Sequence, residues 1–288
     1  MPPHADVVVV GGGIIGVSTA YFLAEGGLRV VLCEKGVIAG EQSSRNWGWC
    51  RSMGRDPREI PLMLESLSIW RGLNGRIDDE TGFRQTGTLY ICPDEAAYAK
   101  REAWLPHARE NGIESVLLRG SQVNEVLTGA ARSWTGALYT PGDGVAEPSL
   151  AAPAIARAAR RLGATILQRC AVRGLDMQTG RVTGVVSERG RIRADRVVLA
   201  GGAWSSLFAA PNSKSLPRCY ARCRQGGARE PPHGGRGSRC ASGSTAATRC
   251  PAARSSPKWY PTASVSLPIL SRFCARNGQA SRCPSAVH

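Results

Sequence analysis

Histidine is nearly missing from this sequence: the four present (His4, His107, His233 and His288) stand far from one another and from any motif. No Ser/His/Asp set can be assembled around them, which removes the usual signature of nucleophilic hydrolysis. Metal-ligand spacing is missing too. Cys33, Cys50, Cys92 and Cys170 are scattered, while Cys219, Cys223, Cys240, Cys250, Cys274 and Cys283 offer one CxxxC followed by long gaps, a poor zinc pattern. No metal site is expected. No secretory signal precedes these cysteines, so free thiols in a reducing cytoplasm are expected rather than a disulfide framework. Internal repeats are absent. Acidic residues fail in one region only: after Ala210 there are 13 Lys/Arg and a single acid, Glu230, against 24 basic and 21 acidic side chains in the first 210 residues. The net charge of +15 therefore belongs mostly to the end of the chain. Aromatics are not interleaved with those arginines, so nucleic acid is not an expected partner.

What is present is globular: 42% hydrophobic and 20% charged residues over 288 positions, enough to bury a full core. The apolar run Val7–Ala24 is long enough to raise a membrane span. However, no Lys or Arg precedes it, its glycines are regularly spaced, and Ser18, Thr19 and Tyr21 interrupt it, so no integral membrane segment is expected. Asp6–Val10 reads instead as a strand buried on both faces of a parallel sheet. Gly13–Glu25 reads as a helix stopped at Gly26-Gly27, and Leu28–Glu34 as the next strand. Together they make a βαβ unit of about thirty residues.

Gly36–Asp56 has no period and reads as a long functional loop. Helices are predicted over Glu59–Leu73, Glu95–Asn111 and Leu150–Leu162, with Gly82–Cys92 as a strand or hairpin arm. Short strands are predicted at Ala137–Tyr139, Ala164–Gln168, Val172–Asp176 and Arg181–Glu188, and a buried strand over Ile192–Ala200. Past Phe208 the periodicity disappears, and only Val265–Leu270 hints at an edge strand.

Gly11-x-Gly13-x-x-Gly16 follows a predicted strand, opens a predicted helix and is answered by Glu34 at the end of the next strand. In that context Gly11 permits the tight turn, Gly13 lets a pyrophosphate approach the backbone, and Gly16 lets helix and strand pack closely. Gly12, Ile14 and Ile15 complete the turn, whose helix N-terminus offers free N–H groups and a positive dipole end to phosphates. Glu34 can accept from both hydroxyls of an adenosine ribose and would repel a 2′-phosphate. These features do not separate FAD from NAD.

The stretch Glu34-Lys35-Gly36 through Gly40-Glu41-Gln42-Ser43-Ser44-Arg45-Asn46-Trp47-Gly48 resembles the D-amino-acid oxidase superfamily of flavoproteins, in particular its sarcosine-oxidase-like and glycine-oxidase-like members. The resemblance resumes at Leu138–Gly144, at Leu162-Gly163-Ala164 and at Ala194–Ser205, and covers about residues 5–208. It implies an α/β chain with FAD as cofactor: a Rossmann-like FAD-binding domain with a central parallel sheet (residues 1–80 and 146–210) and an interleaved partial α+β substrate domain (81–145). It implies that Ser43, Ser44, Arg45 and Asn46, with Lys35 before them, wrap the pyrophosphate and ribityl chain, a solvated loop charge being the alternative for Arg45. Val172 falls where the family lends backbone groups to adenine. Gly201, Gly202 and Trp204 match a turn near the cofactor, with Trp204 as readable for packing as for contact.

The resemblance further implies that Arg51 pairs with a substrate carboxylate, because a guanidinium fork matches a carboxylate at two points. Trp47, Trp49 and Cys50 depart from the family pattern, so Arg55 and Arg58 stay open as alternatives, as does a surface role for Arg51. Cys50 reads as a buried thiol rather than a covalent flavin anchor. The implied reaction is oxidation of the C–N bond of a small amine or amino acid by hydride transfer to flavin N5. Oxygen, a quinone or a second redox subunit would accept the electrons. An inactive truncated flavoprotein fragment and an NAD-dependent Rossmann oxidoreductase are the alternatives. The segment 211–288 is expected to be irregular or disordered. A reading-frame shift in a GC-rich gene would explain its Arg, Ala, Pro, Gly, Ser and Cys content, a natural Arg-rich tail being the other explanation. Translation of the gene in all frames across codons 205–215 separates the two.

Overall fold

The β-branched run near the start forms β1 (His4–Val10) and lies between two apolar clusters. Ala5 and Val8 enter one with Val31, Leu167, Val185 and Ile192; Val7 and Val9 enter the other with Val17, Ala20 and Ile155. Cover on both faces is what an unbroken apolar strand requires, and each buried valine contributes about 1.5–2 kcal/mol. Helix α1 (Ile14–Glu25) is apolar nearly all round and is stopped at Gly26, whose N–H bonds to the Phe22 carbonyl at 3.1 Å. Strand β2 (Val30–Cys33) returns parallel to β1, from Val7↔Val30 to Val10↔Cys33.

The computed structural model describes residues 4–129 and 132–209. The expected Val265–Leu270 strand and the basic segment 211–288 lie outside them. After β2 come β3 (Trp49–Cys50), α2 (Ile60–Ile77), β4 (Thr88–Cys92), α3 (Glu95–Glu102), α4 (Leu105–Glu110), β5 (Val116–Arg119), α5 (Ser121–Val126), β6 (Gly136–Thr140) and β7 (Gly144–Val145). The chain ends its described part with α6 (Pro148–Arg161), β8 (Thr165–Leu167), β9 (Val172–Gln178), β10 (Arg181–Ser187), β11 (Gly190–Leu199) and α7 (Ser205–Ala209).

Six strands form one sheet in the order β8-β2-β1-β11-β10-β9. The first four are mutually parallel, and β10 and β9 add an antiparallel pair. A separate antiparallel sheet, β4-β6-β5, is built from the chain between β3 and β7, and those two short strands pair with each other. The chain thus leaves the first sheet after β2 and re-enters it at β8. In the first sheet β1 lies between its parallel neighbours β2 and β11, and the crevice past their carboxyl ends is the usual ligand position in such sheets. Helices α1 and α6 share the cluster on one face, with Ala152, Ile155 and Ala159 against Val17 and Ala20.

Three of the predicted elements take a different form. Glu95–Asn111 is not one helix: it breaks at Ala103-Trp104 and restarts with Pro106 in the first turn of α4, because proline has no N–H to continue the ladder. Strand β11 is not buried throughout: Ile192 and Ala194 face the core, whereas Arg191, Arg193 and Arg196 are exposed. Its neighbour β10 belongs to an antiparallel meander, and the exposed arginines show that one face there stays open to water. The Gly82–Cys92 segment becomes strand only from Thr88, its first half passing as loop with one bridge at Arg84↔Val145.

Candidate cofactor and substrate site

The crevice at the end of β1 is closed by backbone contacts that leave no room for side chains. Gly11 has φ +114°, and a Cβ there would collide with the Ala200 carbonyl at the end of β11. A Cβ on Gly16 would fall far inside contact distance of the Gly11 carbonyl, so α1 can begin this close to β1 only with glycine. Gly12 would meet the Glu34 Cβ at 2.9 Å and Gly13 the Ser43 Oγ at 3.0 Å. Helix α1 has no acidic residue in its first turn and no side-chain cap from Gly13, so only groups from outside the helix meet its positive end.

Glu34 emerges one residue after β2 and is buried. Its Oε2 accepts the Gly12 N–H at 2.6 Å and its Oε1 the Gly36 N–H at 2.7 Å. A carboxylate has about four acceptor positions, so two remain for the paired hydroxyls of a ribose. The Glu34 carbonyl accepts the Cys170 N–H at 2.9 Å, which brings the start of β9 alongside. Val172 sits there, its side chain packed into the cluster of Val8, Val31 and Leu167, leaving its backbone as the group available to a ligand.

The Gln42–Ser44 turn is tied to α1 by Ser43, whose Oγ accepts the Ile14 N–H at 2.8 Å. Asn46 shapes the loop: its Nδ2 donates to the Gln42 and Ser43 carbonyls and its Oδ1 accepts the Gly48 N–H at 2.7 Å. Ser44 donates to the Glu41 carbonyl at 3.1 Å. Arg45 takes the position of a solvent-facing loop charge, 62% exposed and 3.2 Å from Glu41. Glu41 also takes Lys35 at 2.7 Å, and that bond holds its carboxyl below the ordinary range. Sequence reasoning passed over Glu41, and only its acidic type between two cations could have signalled it. Lys35 in turn lies 4.3 Å over the Trp204 ring, joining the loop after β2 to the Gly201-Gly202 turn after β11.

Arg51 lies beyond β3 and is 9% exposed. One guanidinium nitrogen donates to the Met53 carbonyl, and the group lies 5.5 Å from the Trp49 ring and 5.4 Å from the Tyr90 ring. Its Nε is buried without a hydrogen-bond partner among the described residues. Of the two alternatives, Arg55 is drawn to the same place: burial, then the charge of Arg51, pushes its pKa down. Arg58 is not, being 89% exposed and paired with Asp56 at 2.8 Å. Cys50 is half-buried, and burial pushes its thiol up to about 12, which leaves it a poor nucleophile.

A nucleotide cradle therefore adjoins β1, and a buried cation lies in the segment that follows the cradle's loop. The sequence matches the family described as FAD dependent oxidoreductase over residues 6–239. The chain belongs to that family. Its cofactor is FAD, which removes the NAD alternative, and the residues around Glu34 and the α1 N-terminus fit the adenosine and diphosphate of that group. The match continues past Phe208, where the motif resemblance stopped. Among known proteins, the chain is 34% identical over 220 residues to the sarcosine oxidase subunit beta of Arthrobacter sp, covering 74% of this chain and 54% of that one. Among solved structures it is similar to the L-amino acid deaminase of Proteus myxofaciens in complex with anthranilate, with 37% identity and a TM-score of 0.71 over 75% of this chain and 50% of that one. It is also similar to glycine oxidase from Bacillus cereus, with 30% identity and a TM-score of 0.67 over 72% and 58%. The chain spans about half the length of the curated relatives it matches. No helix among the described residues is long and apolar enough to cross a membrane.

Proposed function

We propose that this chain contributes the FAD-binding part and one wall of the substrate site to an enzyme oxidising the C–N bond of a small amine or amino acid. When bound, FAD accepts the two electrons and the hydrogen leaving the substrate carbon, while the nitrogen loses a proton and water hydrolyses the imine. The chain's own residues bind and orient. Residues 1–80 and 146–210 carry the nucleotide. The Gly11–Gly16 turn and the start of α1 take the diphosphate, Glu34 the ribose, and the Val172 backbone the adenine. Lys35, Ser43, Ser44, Gly201, Gly202 and Trp204 line the path towards the flavin, with Arg45 and Asn46 shaping the loop that encloses it. Residues 81–145 line the substrate side.

The observation that carries the substrate reading is the Arg51 guanidinium, buried beside the Trp49 and Tyr90 rings with its Nε partnerless. A buried cation left open in this way is costly unless an anion completes it, and a carboxylate fits its fork. A relative that binds anthranilate, an aromatic carboxylate, supports the same class of ligand. A partner redox subunit as electron acceptor is supported by the likeness to an oxidase subunit, and a cytoplasmic location remains the reading.

Anaerobic mixing of the FAD-loaded chain with glycine, sarcosine, proline and phenylalanine tests the proposal. Bleaching of the flavin by at least one of them is expected, and Arg51→Lys should raise the concentration for half-maximal bleaching about 30-fold, roughly 2 kcal/mol of lost two-point pairing. Bleaching insensitive to Arg51→Lys would remove the carboxylate role. Flavin bound but unbleached by every compound would favour the inactive fragment.

A further inference from the structure

Two carboxylates are buried among the described residues, Glu34 and Asp143. Glu34 belongs to the nucleotide cradle, but Asp143 has no place in it. Asp143 lies in the turn between β6 and β7, with its carbonyl fixed by the Gly87 N–H at 2.9 Å. Its Oδ1 accepts the Ser52 N–H at 2.7 Å and the Ser52 hydroxyl at 2.8 Å, and its Oδ2 accepts the Met53 N–H at 3.2 Å. All three donors belong to the two residues after Arg51. The guanidinium of Arg51 folds back on the Met53 carbonyl, so Met53, which Asp143 grips by its N–H, also holds the guanidinium by its carbonyl. Strand pairing of Cys50 with Gly144 fastens the same two segments immediately alongside.

A buried acid near two arginines would ordinarily pair with one of them directly. Here three of its roughly four acceptor positions are taken by Ser52 and Met53, so the acid balances the local charge without occupying the guanidinium fork. Burial pushes the carboxyl above its ordinary value, and the bonds from Ser52 and Met53, with the charge of Arg51, oppose that rise.

We propose that Asp143 is a positioning residue: by gripping Ser52 and Met53 it sets the Arg51 guanidinium beside the Trp49 and Tyr90 rings while leaving it open for a substrate carboxylate. This rests on the reading of Arg51 as the carboxylate site. The test is calorimetric titration of the FAD-saturated full chain with anthranilate as the probe, beside a separate FAD titration. Arg51→Gln should weaken anthranilate at least 30-fold. Asp143→Asn, which sets an amide donor against one of the three donors, should weaken it about tenfold, and Ser52→Ala, which removes only the hydroxyl bond, about threefold. FAD affinity should stay within about twofold in all three, a split that a general structural defect would not produce. Wild-type anthranilate affinity in both Asp143→Asn and Ser52→Ala, with binding lost in Arg51→Gln, overturns the role of Asp143 alone. Should Asp143→Asn fail to fold, unchanged affinity in Ser52→Ala is sufficient to overturn it. Undiminished binding in Arg51→Gln, or none by the wild type, overturns the Arg51 reading and this proposal with it.

Discussion

Replacing Gly16 with valine is expected to abolish FAD binding and to leave most of the chain insoluble. The cause is steric and lies between two backbone segments, so no rotamer change relieves it. A side chain at residue 16 points into the Gly11 carbonyl, and Gly11 cannot retreat because it abuts Ala200, the residue after β11. Helix α1 would have to lift off β1, breaking the contacts of Val17 and Ala20 with Val7 and Val9 and moving its N-terminus away from the diphosphate position. Overpacking by a few methylenes already costs about 1–3 kcal/mol where side chains can adjust. The cost here should exceed that range and approach the whole stability of a domain this size, about 5–15 kcal/mol. Gly75→Ala is the matched control: it lies in α2, with nothing within 4 Å of a built Cβ. It should be neutral or stabilise by up to about 1 kcal/mol through helix propensity. Soluble yield and thermal midpoint of the two variants, measured side by side, separate local collision from a general intolerance of substitution.

Glu34→Gln should fold and yet bind FAD about 100-fold more weakly, close to 2.7 kcal/mol. The amide keeps the volume of the carboxylate but presents one donor group where both oxygens now accept, so either Gly12 or Gly36 loses its partner. It also removes one acceptor from the pair facing the ribose and the negative charge that strengthens all these bonds. Because Glu34 lies past the carboxyl end of β2 and outside the strand ladder, its loss should lower the thermal midpoint only slightly without cofactor, and most of the deficit should appear when FAD is present. An FAD affinity within threefold of wild type would show that the ribose is held elsewhere.

The first βαβ unit was legible because its signals are local: β-branched residues covered on both faces, a glycine spacing dictated by backbone contact, and an acid one residue past β2. The substrate side was legible only in part. Arg51 could be named from its residue type and the family resemblance, but what seats it is Asp143, ninety-odd positions away in sequence, and no local pattern links the two. Strands β3 and β7 are two residues each, too short for any period to register. Strand β5 and helix α5 were missed for similar reasons: four and six residues, exposed at both ends. The break between α3 and α4 was written in Pro106, although an apolar period carried across it. Arg45 shows the converse limit. Its residue type suits a diphosphate, but Glu41, one turn before it, takes its charge.

The central claim is that the cradle from Gly11 to Glu34 holds FAD in this chain, and titration of the flavin-free full chain with FAD and with NAD tests it most directly. One FAD should bind per chain with Kd of about 1 μM or tighter, at least ~100-fold more tightly than NAD, and that preference should weaken in Glu34→Gln. No saturable FAD binding by correctly folded wild-type chain, or equal affinity for NAD, would contradict it.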